Sequence, residues 1–167
     1  MFELKLIPHS GVTEKDLNEI IKIKSVAWPF SYEDQVNWMN LNLKESDLHV
    51  LLVMKGTIVA YLNLKTIEII INGKSFNGLG VGNVCAREQG KGWGKELMVQ
   101  CNSFIEKSNK IGLLFCKEKL VAFYTRCTWQ KIDNAKLKVE FTNKDIFSMY
   151  FNFTDPVQLM EYKGRQF

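Results

Sequence analysis

Gln89-Gly90-Lys91-Gly92-Trp93-Gly94-Lys95 places three glycines at alternate positions between a β-like run and an apolar helical stripe. A turn from strand to helix leaves backbone N–H groups unpaired, and the helix dipole favours negative charge there. Glycine at 90, 92 and 94 removes the Cβ atoms that would hold phosphates away from those donors, and Lys91 and Lys95 add charge at the rim. The chemistry implied is pyrophosphate binding. Two common phosphate motifs fail here. A P-loop ends in Gly-Lys followed by Ser or Thr, whereas Gly94-Lys95 precedes Glu96 and Gln89 fills the first glycine position. The G-x-G-x-x-G fingerprint puts Lys95 or Leu97 at its third glycine, depending on the start. An ordinary glycine-rich turn is the plain alternative.

Other reactive residues are sparse. Cys85, Cys101, Cys116 and Cys127 form no C-x-x-C pair, and His9 and His49 lie far from them in sequence, so zinc-type spacing is absent and no metal is expected. Each thiol sits in an apolar segment and reads as a small buried hydrophobe, which suits a reducing, cytoplasmic setting. The formal charge of +4 is spread along the chain, and the densest basic stretch, Lys131 to Lys138, contains Asp133. That is no nucleic-acid tail, and no base-stacking platform accompanies it. A mild positive bias does favour encounter with an anionic small molecule. No stretch approaches the ~20 apolar residues of a membrane span, and Met1-Phe2-Glu3-Leu4-Lys5 lacks the pattern of a signal peptide. A soluble, unprocessed chain is expected, and 167 residues suit one domain, 1–167.

The elements around the glycine loop follow from periodicity. Phe2 to Ile7 reads as a strand ended by Pro8. Thr13 to Asp16 and Ser31 to Asp34 are capping boxes. The first opens a helix with Leu17, Ile20 and Ile21 on one face, and the second one with Tyr32, Val36, Met39 and Leu43. His49 to Met54 is a short strand, and the alternation from Ile58 to Lys65 predicts a half-buried strand continuing to Ile71. Asn72-Gly73 is a strong hairpin signal, and Phe76 to Cys85 returns beside it, its glycines 78, 80 and 82 permitting a bulge or a ligand's close approach. Leu97, Met98, Cys101, Phe104 and Ile105 mark the helix after the loop, followed by a strand at Ile111 to Cys116 and a helix at Leu120 to Arg126. Strands are expected at Trp129 to Ile132, Leu137 to Phe141 and Ile146 to Phe153, the last two joined through Thr142-Asn143-Lys144, and Pro156 begins a tail without assigned structure. The order is that of one mixed α/β domain.

A third motif fits the loop. Gln89-Gly-Lys-Gly92-Trp-Gly94 matches Q/R-x-x-G-x-G/A throughout, and Phe123-Tyr124 followed by Trp129 matches a second signature downstream. In these segments, and in the order of elements around them, the chain resembles the GNAT acetyltransferase superfamily, with some likeness to its aminoglycoside N-acetyltransferase branch. The resemblance covers most of the chain and is loosest beyond Asn134. It implies a mixed, α+β-like fold: a central, mostly antiparallel sheet of six to seven strands, splayed at the cofactor site, with about four helices. It also implies acetyl-CoA as co-substrate. The backbone of Asn83, Val84 and Cys85 would hold the pantetheine arm. The amides of Gln89, Gly90, Lys91, Gly92, Trp93, Gly94 and Lys95 would hold the pyrophosphate, and the strand at Leu113 to Phe115 would splay from its neighbour.

Tyr124 matches the tyrosine that in many relatives protonates the departing thiolate; its alternative is a core aromatic beside Phe123. Two positions depart from the family pattern. Thr128 replaces a glycine, and Lys117 stands where an asparagine is common. Relatives often carry a basic glutamate on the strand before the loop, but Phe76 to Ala86 contains no acidic residue. Glu68 on the opposite strand is the nearest candidate; otherwise it is a solvated strand charge and water carries the proton. Trp28 and Phe30, with Trp38 nearby, would wall the acceptor pocket or anchor the early helices in the core. The acceptor is an amine: polyamine, amino-sugar, amino acid or peptide. With no Cys–His pairing, direct attack in a ternary complex is expected. The alternative is a non-catalytic module that senses acyl-CoA. The late strands present edges through which a homodimer could form.

Overall fold

The computed structural model of the chain describes residues 1–141, 143 and 145–167. In chain order it contains β1 (Phe2–Pro8), α1 (Glu14–Ala27), α2 (Tyr32–Asn42), β2 (Leu48–Met54), β3 (Thr57–Ile71) and β4 (Lys74–Ala86). Then come α3 (Trp93–Lys107), β5 (Ile111–Lys117), α4 (Glu118–Arg126), β6 (Gln130–Lys131), β7 (Leu137–Val139), β8 (Ile146–Phe151) and β9 (Met160–Tyr162). Pairings are antiparallel except β4 with β5 and β7 with β9. The architecture is mixed α/β, with a mostly antiparallel sheet and four α-helices among the described residues. Three strands of two or three residues carry the count past the expected six or seven.

The chain divides into two compact units, Met1–Lys65 with Gly82–Gln100, and Thr66–Val81 with Cys101–Phe167. In the first, both early helices start as their capping residues dictate. Thr13 Oγ1 accepts from Asp16 N at 3.1 Å and Ser31 Oγ accepts from Asp34 N at 3.1 Å. Each hydroxyl also donates to the aspartate it faces, at 2.7 Å, so the carboxylates bind the cap hydroxyl and not its backbone. β1, β2 and β3 lie side by side, with Ile7 opposite His49, His49 opposite Asn63 and Leu51 opposite Tyr61. Ile20, Ile21 and Ile23 of α1 and Met39 of α2 pack with Leu51, Tyr61 and Cys85 in one core.

Two expectations fail in this unit. β3 is not half-buried: Val59 to Leu64 are buried on both faces, so Tyr61 and Asn63 lie inside together with their alternating partners. On α2, Tyr32 is 47% exposed while Gln35 is buried. Gln35 Nε2 donates to Ser25 Oγ and to Trp28 O, both at 3.0 Å, which satisfies a polar group inside the helix pair.

In the second unit, Asn72 (φ 52°) and Gly73 (φ 78°) turn the β3–β4 hairpin with both residues left-handed, as a type I′ turn requires. Asn72 does more than turn. Its Nδ2 donates to Pro156 O at 2.9 Å, and its Oδ1 accepts from Gln158 N at 2.8 Å and Leu159 N at 3.1 Å. The segment after Pro156 is thereby held, and β9 pairs Glu161 with Ile70 and Met160 with Ile71. Phe167 lies against Gly80, where a Cβ would come within 2.5 Å of its ring, and Ile69 covers Gly78 in the same way at 2.6 Å. At these two glycines the chain's own side chains make the close approach.

Other expectations here are corrected too. The β4–β5 ladder runs from Gly78↔Ile111 to Val81↔Leu114 and stops there, so Leu113 and Leu114 are still paired and the expected splay begins only at Phe115. Trp129 to Ile132 yields only β6, and the strand after Asn134 shortens to β7 behind a 3-10 turn. The expected link through Thr142 and Lys144 lies outside the described residues.

Trp129, 1% exposed, fills the space over Gly112, and its Nε1 donates to Asn102 Oδ1 at 2.8 Å. Thr128, just before it, sits at φ 70°, a conformation costly for a β-branched residue and free for the glycine it replaces. Thr128→Gly is expected to stabilise the chain by about 1 kcal/mol, a rise of ~2–4 °C in Tm by calorimetry; a fall of that size would show that the Thr128 hydroxyl contacts outweigh the strain.

Candidate functional site

The glycine turn has the geometry its residues suggest. Gly90 (φ 78°) and Gly92 (φ 76°) are both left-handed, and a Cβ on either would meet no atom within 4 Å. The space beside the backbone at these two positions is therefore open. Gly92 O accepts from Glu96 N at 3.0 Å, closing the first turn of α3. The amides of Trp93, Gly94 and Lys95 precede the first intrahelical donor and face outward, as the opening N–H groups of any helix must. Gln89 to Lys91 and Lys95 are exposed, and Lys91 lies 3.8 Å from Glu88, a contact weak enough to leave its charge available. Open glycines ahead of a 15-residue helix fit a pyrophosphate.

β4 leads into this turn and contains Asn83 at φ 54°. A left-handed residue inside a strand breaks the ladder locally and turns backbone groups out of it, and asparagine tolerates that conformation. Asn83 Nδ2 donates to Asn63 Oδ1 at 2.5 Å, which fixes the kink to β3. Arg87 N donates to Val59 O at 2.8 Å and Arg87 Nε to Ile58 O at 3.0 Å, while its guanidinium reaches Glu19 at 3.1 Å. The end of β4 is thus tied to β3 and α1. Cys85 is buried, and burial pushes its thiol up to about 12, the charge of Lys24 acting in the opposite direction. A thiol so held supplies no thiolate near neutral pH.

Lys24 is the residue that sequence reasoning missed. Its position three after Ile21 and four after Ile20 puts it on the apolar stripe of α1, and that spacing was the available signal. It is 3% exposed and its ammonium lies 4.7 Å from the centroid of Trp38. Burial lowers its pKa to about 8. Beneath it, His49 Nδ1 and Tyr61 Oη are 2.8 Å apart, and His49 Nε2 and His9 Nδ1 are 2.9 Å apart. Burial, aided by the charges of His9 and Lys24, takes His49 down to about 4, and burial drives the Tyr61 phenol well above its usual value. His49 and Tyr61 are therefore both neutral near pH 7.

Tyr124 lies on α4 of the second unit, buried, its ring 5.0 Å from that of Phe123 at 73°. Its carbonyl accepts from Cys127 N and Trp129 N. Lys117, the position where asparagine is common, is the N-cap of α4 and makes no capping bond, since an ammonium cannot accept one. Glu68 is exposed on β3 and accepts from Ser75 Oγ. Trp28 and Trp38 are partly buried against the core of the first unit, whereas Phe30 is 65% exposed. The tryptophans thus touch the core while Phe30 does not bury itself there. Among the described residues, no cluster of three His, Cys, Asp or Glu is placed for a metal, and no helix is long and apolar enough to cross a membrane.

No family model matches the chain, and no curated protein does so at a significant level. Solved structures do match. The N-acetyltransferase YhbS of Escherichia coli, a GNAT family protein in complex with CoA, superposes with a TM-score of 0.68 at 12% identity, over 96% of this chain and 89% of its own. The chain has the GNAT fold. Escherichia coli ElaA has a TM-score of 0.64 at 17% identity, and an acyl-CoA N-acyltransferase of Pseudomonas aeruginosa 0.63 at 18%, each over 91% of this chain and all of the other. In the GNAT fold of this chain, a kinked β4, a left-handed glycine turn and the start of α3 follow one another without interruption.

The lowered pKa of Lys24 carries a stability consequence. A base that protonates less readily when folded destabilises the fold fully below its folded pKa and not at all above its unfolded one. That penalty is present below about pH 8 and disappears towards the usual lysine value of 10.5. Lys24→Met is expected to raise Tm at pH 7 by about 4–8 °C, on the order of 2 kcal/mol, with the gain shrinking between pH 8 and 10.5. A pH-independent difference would assign the effect to packing instead.

Proposed function

We propose that residues 1–167 form one acyl-CoA N-acyltransferase domain, which passes the acetyl group of acetyl-CoA to a primary amine by direct attack in a ternary complex. The observation that carries this reading is the open turn at Gly90 and Gly92, both left-handed and leading into α3. A pyrophosphate laid there meets the amides of Gln89 to Lys95, with Lys91 and Lys95 screening its charge. The backbone of Asn83, Val84 and Cys85, turned out of the ladder by the φ of 54° at Asn83, aligns the pantetheine arm. The CoA in the complex of YhbS, whose fold is similar, supports the same cofactor here.

In this reading Tyr124 donates its phenolic proton to the departing sulfur, and the amine proton leaves through water. Cys85, its thiol near 12, is no nucleophile, which favours direct attack over an acyl-enzyme. Four buried free thiols suit a reducing compartment, the cytoplasm. An acyl-CoA sensor would share the cofactor site and lack turnover across amines.

Saturating acetyl-CoA, at one hundred times its dissociation constant, is expected to add about 2.7 kcal/mol, raising Tm by ~5–11 °C. Gly92→Glu, folded, is expected to lose that rise; no rise in the parent chain would overturn the cofactor assignment. Tyr124→Phe is expected to keep the rise and lose about tenfold or more in kcat. Glu68→Gln is expected to change kcat by less than about threefold, and a loss of roughly a hundredfold would make Glu68 the base in place of water.

A further inference from the structure

One sheet face of the first unit, the face beneath α1, has hydrogen-bond donors to spare and no anion. The registers His49↔Asn63 and Leu51↔Tyr61 place those four side chains together on it, with directly opposed pairs in contact range. Lys24 descends onto this face from α1. Its charge is felt by His49 on β2 and by Cys85 on β4, and its ammonium lies 4.7 Å from the Trp38 ring centroid. Among the described residues Lys24 is paired with no carboxylate and donates no hydrogen bond; its one close companion is the face of Trp38. Asn63, 0% exposed, has an Nδ2 with no partner, and it is the only such sealed donor described. Lys24, by contrast, keeps 3% of its surface open.

The carboxylates that could have answered Lys24 are engaged elsewhere or exposed. Asp16 binds Thr13 and Lys5, Glu19 binds Lys22 and Arg87, and Asp34 binds Ser31. Asp47 accepts from Lys44 N, and Glu14 and Glu33 are exposed. A lysine held out of water without a counter-ion is unfavourable unless something else brings the opposite charge. The positive ends of two uncommitted donors repel a second cation and attract an anion. One ammonium beside a flat aromatic face suits a planar monoanion; a phosphate dianion calls for more donors or a guanidinium fork.

We infer that Lys24 binds a carboxylate of the acyl acceptor, which makes the acceptor an amino acid or a closely related amine bearing a carboxylate, and not a polyamine or an amino-sugar. The inference rests on the acyltransferase reading above. Asn63 adds its unpartnered amide dipole to the field at that position, and Trp38 backs the ammonium on its apolar side.

The test compares L-phenylalanine, L-leucine and L-methionine with the amines left by their decarboxylation, and with spermidine, as acceptors from acetyl-CoA. The full chain is assayed beside Lys24→Met and Asn63→Asp. Tm is measured in parallel with saturating acetyl-CoA, and separately with the N-acetyl form of each amino acid. The parent is expected to favour at least one amino acid over its decarboxylated partner by about tenfold or more in kcat/KM, and to gain Tm with the corresponding N-acetyl amino acid. Lys24→Met is expected to bring that ratio to within about twofold of unity and to lose the gain in Tm. Asn63→Asp, which puts a carboxylate on the same buried face at nearly constant shape, is expected to do the same. Equal or better use of the decarboxylated amines by the parent, or a preference that survives Lys24→Met, would overturn the inference. So would Tm gains from acetyl-CoA with none from any N-acetyl amino acid. Failure of acetyl-CoA alone, with a Lys24-dependent gain from N-acetyl amino acids intact, would remove the acyltransferase reading and leave the carboxylate site standing. Should Lys24→Met fail to fold, Lys24→Gln and Asn63→Asp carry the same comparison.

Discussion

The path of β4 beyond its ladder with β5, which ends at Val81↔Leu114, depends on Asn83. Its left-handed φ of 54° takes the residue out of the regular pleat, and the side chain compensates by bonding to Asn63. Arg87 then restores the connection to β3 through Val59 and Ile58. The glycine turn and the start of α3 inherit their position from that anchored end. The exposed loop is thus held from both sides while its own residues remain free of Cβ obstruction.

The same organisation explains why the interior of the first unit is unusually polar. A kink braced by asparagine on one strand needs an asparagine on the next, and that residue lies opposite His49, which in turn bonds to Tyr61 and His9. Burial keeps His49 and Tyr61 neutral, so neither needs a counter-charge. Lys24 is the exception, and desolvation rather than any single neighbour is the main cause of its altered basicity.

Local chemistry was legible in the sequence and layering was not. The two helix caps, the Asn72-Gly73 turn and the glycine loop each specify their own backbone over two to seven residues; the turn and the loop formed as read, and the caps formed through their hydroxyls alone. Alternation along β3 marks two faces but is silent on whether a helix covers one or both, so Tyr61 and Asn63 were expected at a half-buried strand and lie in the core. β6, β7 and β9 are too short to carry any periodicity. β9 depends on the side chain of Asn72 gripping Gln158 and Leu159, a contact across more than eighty positions. Lys24 escaped notice because an apolar stripe is read by counting hydrophobic residues, and a charged residue in the stripe is passed over. Lys24 was illegible for that reason, while the glycine turn was plain.

The four sealed thiols have a practical corollary. Cys85 belongs to the first compact unit, whereas Cys101, Cys116 and Cys127 belong to the second. Alkylation must wait for the surrounding structure to open, so the labelling rate at each sulfur is a clock for the opening of its own unit. The native chain thereby contains a built-in pair of reporters, with no probe to introduce, that can tell whether a bound ligand quiets one half of the molecule or both.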